Sequence, residues 1–354
     1  MLRTIGFISL TLVLGGCGGG DDAGPEGSSG AGGGQNSGGG GGVGAEGGGG
    51  GSGATSSGGG SASGGSSSGG GGGASGSPGT GGASNGCGNN TKHANIGNLI
   101  VADVSWPAAT GIAAGTGKLQ IWTRTVLDFG EADAKGEIPA TGEVSPCGST
   151  IPALTKTSIA GGGQVQTVIP DAVWDKPGMP KFKATGKLSG FDVGATITME
   201  PVVSLVGLSM SDPNGSWPAS AKQITGVDHD GDGQLGILAV PRTDPPFSAP
   251  PTGLLEALNA NGKRAVEVYV STRTAVQITG KRDTCNSASG EAVVKLFDSH
   301  VVGCKRNDGQ LCKSGEADFI DQNQPKFKVA SASYKMVQLK EGATCADVRA
   351  ALPL

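Results

Sequence analysis

Lys118-Leu119-Gln120-Ile121-Trp122-Thr123-Arg124-Thr125-Val126-Leu127-Asp128-Phe129 alternates from end to end. Leu119, Ile121, Thr123, Thr125 and Leu127 fall on one side, and Gln120, Trp122, Arg124, Val126 and Asp128 on the other. A period of two is that of a half-buried strand. Outward from this stretch, the apolar triplet 99–101 opens an earlier strand. Similar runs follow at 164–169, 181–188, 195–210, 265–279, 291–302 and 326–339, separated by Gly, Pro and Asp clusters. Repeated short strands with turn signals predict a mostly β fold, an antiparallel sandwich or barrel. Helical signals are confined to 252–259 and to 345–352, where Thr344-Cys345-Ala346-Asp347 has the form of a capping box.

Some segments echo one another. Pro180-Lys181-Phe182-Lys183 recurs as Pro325-Lys326-Phe327-Lys328, and Arg124-Thr125 lies upstream of the first as Arg273-Thr274 lies upstream of the second. The common order suggests two related β units, 87–211 and 263–354, joined by a connector at 212–262 that holds an aspartate-rich loop and a proline-rich run.

The N-terminus has a different character. Met1-Leu2-Arg3 precedes an apolar run over 5–14, too short for the roughly 20 residues that span a bilayer, and Leu14-Gly15-Gly16-Cys17 follows. That tetrapeptide resembles the lipobox of bacterial lipoproteins. The resemblance implies a signal peptide over 1–16 and a Cys17 that carries the acyl anchor. Gly18 in place of aspartate points to the outer membrane, facing either the periplasm or the exterior. Residues 17–86 are almost all Gly, Ser and Ala, which cannot bury enough apolar surface to offset their conformational entropy. They read as a disordered tether with an r.m.s. reach of roughly 45 Å.

The net charge is −4, and its acidic excess lies mostly in the tether. With no basic stripe to collect phosphates, nucleic acid is an unsuitable partner. Apart from Cys17 there are Cys87, Cys147, Cys285, Cys304, Cys312 and Cys345. An even set in an exported chain reads as disulfides. Cys304 and Cys312 bracket a polar turn and form the best pair; Cys285 with Cys345 and Cys87 with Cys147 follow by elimination. No Cys-x-x-Cys or close Cys/His pair supports zinc.

The densest chemistry is Asp228-His229-Asp230-Gly231-Asp232-Gly233-Gln234-Leu235-Gly236. Carboxylates at alternate positions followed by glycine suit a loop that wraps oxygen ligands around a hard cation. The stretch resembles half of a calcium loop of the EF-hand, dockerin or thrombospondin type 3 kind. The resemblance implies Ca²⁺ held by Asp228, Asp230, Asp232 and the Gln234 carbonyl, with Gly233 making the sharp turn. Ala239 stands where the bidentate glutamate would be, so the expected affinity is weak, and Asp212 and Asp244 are the nearest acids to complete the shell. His229 is expected to point out of the loop.

Histidine is scarce, with His93, His229 and His300 only, and no nucleophile elbow, zinc-protease motif or phosphate loop occurs. Nothing in the sequence nominates a catalytic residue. Trp106, Trp122, Trp174 and Trp217 suit either core packing or stacking on sugars. Three readings of function follow. The first is a surface-displayed lipoprotein with a calcium-stabilised, disulfide-stapled β body in a structural or adhesive role, touching a glycan or a protein. The second is a β-barrel carrier of a small apolar ligand, and the third a carbohydrate-active or other hydrolase built on two facing carboxylates.

Overall fold

The computed structural model describes Cys87 and residues 92–158, 162–242, 244–247 and 265–354. Residues 1–16 and 17–86, expected as signal peptide and tether, with Cys17 among them, and the expected helix at 252–259 lie outside these described residues.

Fourteen strands are described: β1 His93–Trp106, β2 Gly115–Phe129, β3 Ile138–Thr150, β4 Leu154–Thr155, β5 Gln164–Val165, β6 Thr167–Val168, β7 Phe182–Leu188, β8 Thr196–Val206, β9 Leu208–Ser209, β10 Thr225–Gly226, β11 Ile237–Pro241, β12 Ala265–Thr284, β13 Ser287–Arg306 and β14 Lys328–Leu339. Three α-helices accompany them, α1 Asp171–Trp174, α2 Ser314–Asn323 and α3 Cys345–Ala351, with a 3₁₀ turn at Ala221–Gln223. The first strand starts at His93, six residues before the apolar triplet expected to open it, because its inward positions are shared among Ile96, Asn98 and Ile100.

The pairing decides between sandwich and barrel. Antiparallel ladders run β1–β2–β3–β7–β8–β12–β13–β14 and return to β1, so the sheet closes on itself. Strands from 87–211 and from 263–354 thus share one eight-membered circuit. Eight strands give an interior that side chains fill or that holds one small ligand. Two wall positions are built from paired segments. Where β7 and β8 end, β6 and β11 take their places: Thr150 pairs with Val168, Val168 with Val240, and Ile237 with Val270.

β12 and β13, with 20 residues each, form the longest hairpin, turned at Cys285-Asn286. Inside it Gly280 has no room for a side chain, since a Cβ there would lie 2.4 Å from the Tyr334 hydroxyl. The phenol therefore crosses the floor of the barrel over Ala288 and Ala292, where Ile100, Leu127, Val144, Ile197, Met199 and Met336 complete an apolar plug.

β3 escapes a pattern search because it carries Pro139, Gly142, Pro146 and Gly148. Its ladder with β2 slips between Trp122, paired with Gly148, and Thr123, paired with Pro146. Cys147 is the extra residue of this bulge, and proline is tolerated in such an interruption. The bulge turns Cys147 outward onto α3, where it bonds Cys345. Leu99, Trp122, Val348 and Leu352 pack around that bridge, and Trp122 Nε1 donates to the Leu352 carbonyl at 2.9 Å. The expected capping box is present: Thr344 Oγ1 accepts from Asp347 N and Asp347 Oδ2 from Thr344 N.

Cys304 and Cys312 are bonded as expected. The other two bridges differ from the expectation, running Cys87–Cys285 and Cys147–Cys345. Elimination along the chain has no access to the cause, which is that the β2–β3 bulge aims Cys147 at α3.

One stretch of the wall lacks a ladder. β13 pairs with β14 only from Ser287↔Val337 to Glu291↔Ser333, after which the strands diverge. α2 packs against β13 in that stretch. Phe297 and Phe327 meet edge to face at 6.2 Å, and Trp106 stands 5.5 Å from Phe327.

Candidate functional site

Alternation along each strand sends one set of side chains inward. The side of β2 carrying Leu119, Ile121, Thr123, Thr125 and Leu127 lines the lumen, together with Val270, Thr272, Thr274, Val276 and Ile278 of β12. They surround a cavity of about 220 Å³. Its lining includes no Asp, Glu, Lys, Arg or His among the described residues. Polarity inside comes from neutral groups. Asn98 is 6% exposed, and its Nδ2 donates to Thr123 Oγ1 at 3.2 Å and Thr125 Oγ1 at 2.8 Å. At the gap between β13 and β14, Gln324 Nε2 donates to the Ser299 carbonyl at 3.3 Å. The sequence signal for this interior is the threonine pair set among the leucines of one strand face, which locates polar atoms in an apolar row.

The aspartate loop sits on the outside of the wall. Asp228 Oδ1 accepts from Gly231 N at 2.7 Å and Asp232 N at 3.3 Å, and its Oδ2 accepts from Gly233 N at 2.9 Å. Gly231 and Gly233 have φ of 71° and 86°, which glycine adopts without strain. Burial opposes ionisation of Asp228, but the Gly233 and Gly231 amides, the adjoining Asp230 carboxyl and the Asp232 amide outweigh it and hold the carboxyl below its usual range. Asp230 is 4% exposed; burial and the neighbouring Asp232 and Asp228 carboxyls push it above that range, against the Leu238 amide. Its Oδ2 accepts from Leu238 N at 2.9 Å, and its Oδ1 is buried with no N–H or O–H donor among the described residues, the carboxyl lying against that of Asp228. Asp232 is exposed and accepts from Gln234 N at 2.8 Å. The three residues offer carboxylate oxygens within 4.8 Å of one another.

Of the acids expected to complete this shell, neither is recruited. Asp212 accepts from Asn214 N within its own turn, and Asp244 is tied to Arg242. His229 points out of the loop, and its ring lies against residues of the wall rather than in solvent. It turns toward the wall, where its Nδ1 accepts from Gly207 N at 2.9 Å, and burial holds it below its ordinary value against the opposing pull of Asp228.

That contact lies at a seam. Along β12 the partner changes from Val206 of β8, opposite Thr272, to Ile237 of β11, opposite Val270. Gly207 and Gly236 meet there so closely that a Cβ on Gly207 would stand 2.9 Å from the Gly236 Cα. The Gly207 carbonyl accepts from Ser271 Oγ at 2.8 Å and Val227 N at 3.0 Å.

The remaining candidates are structural. His93 pairs with Asp128 on the surface. His300 is buried, its Nδ1 2.7 Å from Asp321 Oδ2 and its ring stacked on Trp217 at 5.2 Å, with Arg273 on the indole at 5.1 Å. Trp106 and Trp122 are buried in the packing, whereas Trp174, also buried, belongs to the lumen lining. No helix among the described residues is long and apolar enough to cross a membrane. No family model, curated protein or solved structure matches the chain.

Proposed function

We propose that this chain is a lipid-anchored envelope protein whose barrel carries a small, uncharged, largely apolar ligand in its lumen. The lumen carries the reading, with about 220 Å³ of space, an apolar lining and no charged side chain facing it among the described residues. An apolar cavity of about 150 Å³ stays dry and takes benzene, while pockets for drug-sized ligands run to about 300–1,000 Å³. The ligand is therefore somewhat larger than one aromatic ring. Removal of its surface from water, at about 25 cal/mol/Å², supplies the affinity. The amide of Asn98 and the hydroxyls of Thr123 and Thr125 orient one polar group of the ligand.

The rival readings have less support. Carboxylate hydrolysis needs two facing acids, which the lumen lining does not supply. Sugar stacking needs open aromatic faces on the surface, whereas Trp106 and Trp122 are packed in the core, Trp174 is buried at the apolar lumen and Trp217 is stacked on His300. Acylated Cys17 and the glycine-rich tether would hold the carrier at the outer membrane within reach of lipid-borne or diffusing ligands.

Titration of the exported Cys17→Ser chain with a naphthylamine dye tests the carrier. Saturable fluorescence that medium-chain alcohols displace is expected. Thr274→Phe, which fills the lumen, should abolish it while leaving the far-UV circular dichroism intact. Equal dye binding in the filled variant would exclude the lumen as the site.

A further inference from the structure

We propose that Asp228, Asp230 and Asp232 hold a calcium-class divalent cation, and that this cation cinches the seam where β11 takes over from β8 in the barrel wall. The inference stands independently of what the lumen carries. Two ligand oxygens at about 2.3–2.6 Å from one Ca²⁺ lie at most about 5 Å apart. The three carboxylates meet that condition, with oxygens within 4.8 Å of one another. Proximity alone would describe many acidic turns. The separate observation is Asp230, 4% exposed, with Oδ1 buried and accepting no hydrogen bond. A buried carboxylate oxygen without a donor is costly, and a cation repays it directly.

The ligand set selects the cation. Oxygens on a short loop, with positions left for water and the Gln234 carbonyl, suit the larger and more tolerant Ca²⁺ better than Mg²⁺, which demands a near-ideal octahedron. No soft nitrogen or sulfur donor takes part, since the one histidine of the loop, His229, is engaged with Gly207.

Position gives the cation its consequence. Asp230 holds Leu238 N of β11 through the oxygen that the cation leaves free, and His229, one residue earlier, holds Gly207 N just past β8. β11 is a short wall segment, paired with β12 only over Ile237–Ala239 and with β6 only over Val240–Pro241. A cation that fixes the loop therefore fastens both sides of the seam, beside Val206 and Ala239 of the lumen lining.

The experiment uses the full chain with Cys17→Ser, stripped with chelator and titrated calorimetrically with CaCl₂ or MgCl₂. One saturable Ca²⁺ per chain is expected, with Kd of about 10⁻⁴–10⁻³ M as in extracellular modules, and weaker Mg²⁺ binding. Saturating Ca²⁺ should raise the melting midpoint and slow hydrogen exchange at Leu238–Val240, leaving β7 amides unchanged. Asp230→Asn keeps the acceptor for Leu238 N and should lose both the heat and the exchange response. Asp232→Asn, at an exposed position, should weaken binding with the fold intact. Absence of saturable Ca²⁺ heat, or equal heat in both variants, would overturn the site. Ca²⁺ binding without slower exchange in β11 would overturn the seam.

Discussion

The carboxylate of Asp321 accepts the backbone N–H of Val301 at 2.8 Å, so a helix side chain stands where a strand partner of β13 would be. Its other oxygen meets His300 Nδ1 at 2.7 Å. Gln324 does the complementary work, donating to the Ser299 carbonyl at 3.3 Å and to Asp321 Oδ1 at 2.8 Å. β13 and β14 separate beyond Glu291↔Ser333, and a barrel wall left open exposes unpaired backbone groups. Here α2 covers the opening with side-chain hydrogen bonds. The closure of the barrel is thus part ladder and part helix.

Asp321→Ala should be among the most damaging single changes. It removes the acceptor from Val301 N, Gln324 Nε2 and His300 Nδ1, all within a buried cluster. Breaking one side of a buried charged network costs about 3–5 kcal/mol. Urea unfolding of the variant should show that loss, whereas Lys222→Ala, which removes an exposed ion pair with Asp318, should cost under about 1 kcal/mol.

The disulfides should rank by the loops they close. Cys87–Cys285 and Cys147–Cys345 each have a sequence separation of 198, and Cys304–Cys312 one of 8. Loop-closure entropy gives about 5 kcal/mol for a long bridge and about 2–3 kcal/mol for the short one. Cys147→Ala/Cys345→Ala should therefore lower unfolding free energy about twice as much as Cys304→Ala/Cys312→Ala. Peptide mapping of the unreduced chain checks the pairing.

Strand content was legible because alternation is local. The face of β2 predicted from Leu119 to Leu127 is the face that lines the lumen. β3 was hidden by two prolines and two glycines that a bulge accommodates, and β11 looked like the tail of the aspartate loop. Closure is a matter of which distant strands meet, as when Val144 pairs with Phe182, and no local pattern encodes it. α2 lacks an apolar stripe, and its buried Glu316 and Asp321 make polar contacts that periodicity does not reveal. In the aspartate loop the motif marked the three acids, but the burial of Asp230 Oδ1 without a donor and the contact of His229 with Gly207 depend on how β8 and β11 abut.

The proposed acylation at Cys17 makes a prediction about location. Two or more acyl chains anchor a protein stably, while a chain without them has no comparable hold. Cys17→Ser should shift the protein from the membrane fraction to the soluble envelope fraction and delay or block removal of 1–16. Mass spectrometry of the mature N-terminus decides the point: a diacylglyceryl or triacyl adduct on Cys17 is expected, and an unmodified mature cysteine would remove the anchor from the proposal.

Tyr334 offers a test of the barrel floor through pH. It is 1% exposed, its hydroxyl has no hydrogen-bond partner, and burial, aided by Asp283, pushes its pKa up to about 12. The unfolded chain ionises near the ordinary value of about 10. A phenol raised in the fold contributes stability that is present below about pH 10 and is lost as pH climbs toward 12, because only the unfolded state then gains by ionising. Two units correspond to about 3 kcal/mol. Tyr334→Phe should therefore unfold less steeply between about pH 10 and 12. Some slope should remain, since Tyr269, the second of the two tyrosines, is also raised by burial and by Glu267. At neutral pH the same substitution removes an unsatisfied buried hydroxyl, which costs about 1–3 kcal/mol to bury, so the variant should match or exceed the parent in stability. Urea midpoints across the alkaline range check both signs, and a clear loss of stability at pH 7 would mean that the hydroxyl has a partner.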